Sequence, residues 1–231
     1  NIHCFYLMML LSNEDYLFFY AQGPSGFNIN TDKVKWHQNL YFNESIYWLL
    51  IPNDNSLRGL RIKTASLVNN GPFEVDYGMV FNHYEIDKIN PEESGLSWGN
   101  KVLSNGASII ENVQILNPML EANVNGSIGM IGNEKINTRY KNTNHSIALY
   151  GNNIKIADID WTNTGPKSKD FTINAGTINE GENTFKITNQ SLNSNSEPLF
   201  DYINFSYQKK LIYEKPFDFV SSLKSTDLTY K

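Results

Sequence analysis

The sequence predicts an all-β chain: a β-rich N-terminal unit over residues 1–85, then a jelly-roll or galactose-binding-like β-sandwich over 86–213. Three observations predict it. The chain holds 13 Tyr and 13 Phe, with frequent Ile, Val and Thr, and these residues suit pleated, half-buried surfaces. Asn and Gly are abundant, and both tolerate the positive φ that tight turns require. From Ala107 onward, short strand-like segments recur with Gly126, Gly132, Gly151, Gly165, Gly176 and Gly181 between them, the pattern of a sandwich or jelly roll. No helical periodicity of any length competes with this reading.

The elements follow in order. Phe5–Leu11 and Tyr16–Tyr20 flank the polar cluster Ser12-Asn13-Glu14-Asp15 and read as a hairpin. Tyr41–Ile51 reads as a strand stopped at Pro52-Asn53-Asp54-Asn55, with Trp48 in the core. Gly59–Leu67 alternates, which gives one wet face and one dry face. Asn69-Asn70-Gly71-Pro72 is a break. Phe73–Asn90 fits either a charged helix or an extended arm, and 91–106 reads as loop. Strands are expected at 108–115, 119–124, 127–131, 146–150, 154–159, 170–173, 183–187 and 199–207. The turn Gly151-Asn152-Asn153-Ile154 requires positive φ, and Gly181-Glu182-Asn183 forms a corner ahead of an alternating strand. In Leu199–Tyr207, Ile203, Phe205 and Tyr207 are expected to face the core, with Phe200, Tyr202 and Asn204 on the other face. Residues 214–231 read as a linker toward a further, catalytic domain.

Composition excludes several functions. The formal charge of −5 is spread without basic blocks, so no clustered cationic face exists for nucleic acid. The apolar run Phe5–Leu11 is far shorter than the roughly 20 residues a membrane-spanning helix needs. It reads as a buried strand or as the remnant of a targeting sequence. Cys4 is the one cysteine, so it forms no internal disulfide.

Four runs in fixed order carry a resemblance. They are Tyr16-Leu17-Phe18-Phe19-Tyr20-Ala21-Gln22-Gly23-Pro24, Phe81-Asn82-His83-Tyr84-Glu85-Ile86-Asp87, Ser94-Gly95-Leu96-Ser97-Trp98-Gly99 and Leu199-Phe200-Asp201-Tyr202-Ile203-Asn204-Phe205-Ser206-Tyr207. As a set they resemble the region ahead of the protease domain in gingipain-family cysteine peptidases, especially the sortase type that serves type IX secretion. The resemblance implies a bacterial parent acting at or outside the outer membrane. It also implies a downstream peptidase domain in the same chain, with outer-membrane secretion components or cargo protein as partners. The catalytic His/Cys pair of that family has no match here. Cys4 lies in an apolar run, where burial would raise the thiol pKa and keep it inert, so no catalytic residue is expected.

A few residues remain as binding candidates. Asp158 and Asp160 flank Ile159 and project to one face of a strand, where they read as a calcium or sugar contact or as a solvated face. Asp201, at the start of the last strand, reads as a calcium ligand or as a loop cap. Calcium is thus the one cofactor considered. Trp161 is the candidate binding aromatic, while Trp98 is expected to pin a loop to the sandwich. His3, His37, His83 and His145 show no zinc-ligand spacing, and His83 is expected to bond a neighbouring backbone group. The competing reading is a carbohydrate-binding or adhesin-like β-sandwich without a protease.

Overall fold

The computed structural model describes residues 2–7, 17–28, 35–48, 73–91, 93, 95, 97–135, 142–212 and 228–230. All regular structure among them is β, and no helix occurs. By compactness the chain divides into Asn1–Asn70 and Gly71–Lys231.

In the first unit β1 (Ile2–Leu7) and β2 (Leu17–Gln22) pair antiparallel, with Ile2 opposite Gln22 and Leu7 opposite Leu17. The pairing agrees with the expected hairpin, whose residues 8–16, the polar cluster among them, lie outside the described residues. β3 (Gly26–Asn28) and β4 (Lys35–His37) form a second antiparallel pair. Trp36 meets Phe27 edge to face, with ring centroids 4.9 Å apart.

The strand expected from Tyr41 does not form over residues 41–48, and 49–51 lie outside the described residues. The cause is local. The Asn39 carboxamide oxygen accepts the backbone N–H groups of Tyr41 and Phe42, each at 3.0 Å, a side-chain turn that competes with a strand ladder. Trp48, expected in the core, is 86% exposed. The alternating run Gly59–Leu67 lies outside the described residues.

The second unit is a β-sandwich. β5 (Phe73–Val75) opens it and pairs in parallel with β15 (Leu228–Tyr230). β15 falls within 214–231, the stretch read as a linker. β6 (Tyr77–Glu85) replaces the helix-or-arm ambiguity with a strand. The others are β7 (Lys101–Val102), β8 (Ser108–Ile115), β9 (Val124–Gly132), β10 (Asn144–Gly151), β11 (Ile154–Thr162), β12 (Gly165–Ile173), β13 (Gly181–Asn189) and β14 (Leu199–Lys210). One sheet runs β12-β9-β14-β6, with β7 also on β14; the second runs β11-β10-β13-β8. Residues 119–123, expected as a strand, form a turn ahead of β9.

The two sheets close on one apolar core. In β8, Ile109, Val113 and Ile115 point inward while Ser108, Ile110, Asn112 and Gln114 point out, the period-two pattern of a half-buried strand. Ile147, Leu149, Phe185 and Ile187 meet Ile128, Met130, Ile203 and Phe205 from the facing sheet. The expected inward set Ile203, Phe205 and Tyr207 is buried, at 0%, 1% and 4% exposed.

Phe200 differs from expectation: it is fully buried in the same core. Phe200 lies opposite Met130 while Ile203 lies opposite Ile128. Three steps on β14 thus match two on β9, which is a β-bulge. The bulge switches the facing of β14 at Asp201-Tyr202, so Phe200 and Ile203 both point inward.

Asparagines fix the turns. Asn152 and Asn153 adopt φ of 48° and 69°, as the β10–β11 hairpin requires. Asn183, 1% exposed, donates to the carbonyls of Asn179 and Gly181 and accepts from Asn179 N–H and Asn152 Nδ2. The Gly-Glu-Asn corner read from sequence is this side-chain clamp.

Candidate functional site

Three carboxylates converge where β6 ends and β14 bulges. Glu85 is the last residue of β6 and lies opposite Tyr202. Asp87 follows two residues later. Asp201 arrives from the bulge. One oxygen from each lies within 4.8 Å of the others, and no other group of three metal-type ligands occurs among the described residues. Like charges this close disfavour full ionisation. Burial, reinforced by Glu85 and Asp87, pushes Asp201 up to about 7. Asp87 is also raised, by burial first and then by Glu85, while His83 opposes the shift.

A polar row leads from this corner across the outer face of the sheet. His83 Nε2 pairs with Glu85 Oε2 at 2.8 Å, and His83 Nδ1 meets Asn204 Oδ1 at 2.6 Å. Asn204 Nδ2 donates to Ser127 Oγ at 3.0 Å. The row therefore crosses β6, β14 and β9 in register. His83 bonds side chains here, whereas the sequence suggested a backbone partner. Beside the row, Tyr202 packs over Gly129; a Cβ at Gly129 would lie 2.3 Å from the Tyr202 ring. Only glycine admits that close approach.

Chemically, the corner can share a proton among three carboxyls or contribute hard oxygen ligands to a cation such as calcium. Calcium takes six to eight oxygens, so these side chains would supply part of a shell. Asp201 was a sequence candidate; Glu85 and Asp87 were not. The available signal was the spacing Glu85-Ile86-Asp87, the same acid–Ile–acid pattern as Asp158-Ile159-Asp160.

The second pair behaves differently. Asp158 and Asp160 lie exposed on one face of β11, as their spacing predicts. Asp158 Oδ1 accepts from Lys155 Nζ at 2.7 Å and from Gln190 Nε2 at 2.8 Å. These contacts, Lys155 first, hold its carboxyl below the usual range. Asp160 accepts the Ser146 hydroxyl at 2.6 Å. Neither joins a third carboxylate. They read as a polar ladder on an outer sheet face.

Trp161 is half-buried and packs against the core. Its ring stacks on His145 at 4.7 Å between centroids. Trp98 is 40% exposed and donates to the Gly95 carbonyl at 3.2 Å, which ties its own loop. Between the sheets, Glu111 is 7% exposed and accepts from Tyr84, Asn100 and Lys101. Burial, followed by the bond to Glu111, pushes Tyr84 up to about 12. This interior carboxylate was not foreseen, because it occupies an inward position between Ile109 and Val113. Cys4 sits in β1 opposite Tyr20.

No known family model matches the chain, and no curated protein matches it in sequence. Solved structures do match in fold. The chain is similar to part of dimeric latent PorU from Porphyromonas gingivalis, at 15% identity and a TM-score of 0.62, covering 93% of this chain and 21% of that one. The chain thus spans about a fifth of that protein's length. Weaker likenesses reach a CBM36-1 domain of a multidomain xylanase from the hindgut metagenome of Trinervitermes trinervoides (12% identity, TM-score 0.36, 55% of this chain and 95% of that one). A family 35 carbohydrate binding module from Clostridium thermocellum gives 17% identity and a TM-score of 0.36, over 54% of this chain and 90% of that one. At these identities the likenesses concern fold.

Proposed function

We propose that this chain is a non-catalytic accessory β region of a gingipain-like cysteine peptidase of type IX secretion, either a cargo-processing sortase or a secreted protease. The observation that supports the reading is the extent of the PorU likeness. It covers 93% of this chain, so it draws on both compact units and not on the sandwich alone. The four ordered sequence runs supply an independent line of support. In this reading the sandwich packs against a peptidase domain of the same polypeptide and offers outer faces to cargo or secretion components at the bacterial outer-membrane surface. In this reading the chain itself has no peptidase activity, since the catalytic His/Cys pattern of that family has no match in its sequence and Cys4 lies in an apolar run.

Two measurements test it. The purified chain is incubated with Arg-, Lys- and casein-type substrates; cleavage that disappears in Cys4→Ala overturns the inactive assignment. The coding region after Lys231 is then read. An α/β pattern with a His and a later Cys supports the peptidase parent. Further β modules, together with binding on a glycan array, favour the carbohydrate-binding or adhesin alternative. As for the membrane, no helix among the described residues is long and apolar enough to cross one.

A further inference from the structure

We propose that Tyr202, with the carboxylates around it, forms a docking site for an arginine side chain presented by a partner polypeptide. The site lies on the outer face of the β12-β9-β14-β6 sheet, within the second compact unit. It stands whichever parent protein carries the chain. The ring is built flat into the sheet. A Cβ on Gly129 would lie 2.3, 2.5 and 2.9 Å from Tyr202 Cε1, Cδ1 and Cζ, which places that point over the ring face and not beyond its edge. Tyr202 therefore crosses β9 with one face on the glycine backbone and the other turned away from the sheet. Its phenol reaches Ser168 of β12, the register partner of Gly129. Tyr202 keeps partial exposure, and Ser168 and Asp170 beside it are exposed.

The surroundings of the ring carry one sign. Burial is the first cause that raises the Tyr202 phenol, and every charged group that adds to the shift is a carboxylate: Asp201, Asp170 and Glu85. The strands put them there. Glu85 of β6 is the register partner of Tyr202, and Asp201 precedes it at the bulge. Asp170 lies opposite Ser127, the next outward position of β9 after Gly129. His83, with its ring centroid 5.8 Å from that of Tyr202, is tied to Glu85 and Asn204.

Charge complementarity selects the occupant. The face of an aromatic ring is negative and attracts a cation, and flanking carboxylates add to that field. A guanidinium suits the site better than an ammonium. It is planar, so it lies parallel on the ring, and its edge N–H groups turn outward toward the carboxylates. An ammonium is a compact point charge without that fork. A neutral sugar could stack on the ring, yet it would leave the crowded carboxylates without a counter-charge. Their mutual repulsion disfavours full ionisation, and a bound cation relieves it.

The test is an NMR titration of the full chain with a capped peptide of glycine and serine that holds one central arginine. Two further probes run beside it: the same peptide with citrulline, which keeps the shape and removes the charge, and the neutral sugar maltotriose. The expected result is a saturable shift of the Gly129, Ser168 and Asp170 amides with the arginine peptide alone, weakened by added salt. Tyr202→Leu is expected to raise the dissociation constant by about three- to thirtyfold, the range of a cation–ring contact. Tyr202→Phe keeps the ring and is expected to keep the binding. Asp170→Asn is expected to weaken it too, and this exposed residue decides the case even if Tyr202→Leu does not fold. An arginine peptide that gives no saturable shift overturns the proposal. So does equal binding of the citrulline peptide, binding of maltotriose in place of the peptide, or an affinity unchanged in Asp170→Asn or in folded Tyr202→Leu.

Discussion

Two acid–Ile–acid triplets in this chain have the same local sequence and opposite electrostatics. Asp158-Ile159-Asp160 sits on a regular strand; its carboxylates are exposed and meet Lys155, Gln190 and Ser146. Glu85-Ile86-Asp87 sits at a strand end, where the β14 bulge delivers Asp201 as a third carboxylate beside the His83–Glu85 pair. Asp158 is lowered and Asp201 is raised to about 7. The spacing of acids along the chain thus sets which way they point. The neighbour brought by a distant strand sets whether they hold or share their protons.

The largest test of that contrast is the bulge itself. Phe200 and Phe205 are 0% and 1% exposed, which a regular strand would forbid for residues five apart. Phe200→Ala and Phe205→Ala are each expected to cost about 3–5 kcal/mol in denaturant unfolding. A near-neutral Phe200→Ala would mean that β14 is regular, and the acidic corner would lose its cause.

The second test is pH. The folded pKa of Asp201 lies above its unfolded value, so the native state binds the extra proton between pH 3.8 and about 7. Stability from this group is complete below that window and is lost as pH rises through it, by up to about 1.4 kcal/mol per pH unit. Asp201→Asn is expected to flatten the slope of melting temperature against pH. Calcium enters the same experiment. A stabilisation by calcium at pH 8 that vanishes in Asp201→Asn would assign the corner to a metal by mass action.

Asn204 gives a smaller effect. It lies on the face opposite Phe205, as expected, yet it is only 8% exposed and bonds His83 and Ser127. Asn204→Ala is expected to cost about 1–3 kcal/mol, because two buried partners lose their bonds. Equality with Phe205→Ala in the same unfolding series would count against the two-faced register.

The smallest effect is expected on β11. Asp158→Asn should change stability by less than about 0.5 kcal/mol, since both ion-pair partners are exposed and screened. A larger loss, insensitive to added salt, would show the two triplets to be alike.

Much of the sandwich was legible because its signals are local. β8 matched its expected bounds, since alternation over eight residues has a single reading. The β10–β11 turn was legible because Asn-Asn supplies positive φ. β6 was ambiguous: its nine residues include polar Asn82, His83 and Glu85, and only pairing with β14 from Tyr77 to Glu85 makes them a strand. That non-local pairing also draws β6 into the second compact unit, whereas the sequence placed the division after Glu85. Tyr41–Trp48 misled because its apolar density suggested a buried strand, while Asn39 turns the chain instead.

By itself the sequence determined the all-β class, most strand positions after Ala107, the turn residues and the inward set Ile203, Phe205 and Tyr207. Each follows from backbone preference or from period-two patterning within one segment. Tertiary structure decided the acidic corner, the polar row from Glu85 to Ser127, the buried Glu111 and the buried His145–Ser196 contact. These depend on bulge placement and strand register between residues up to 121 apart, as for His83 and Asn204. A one-residue shift in register moves a side chain to the opposite face, and nothing within either segment records its partner.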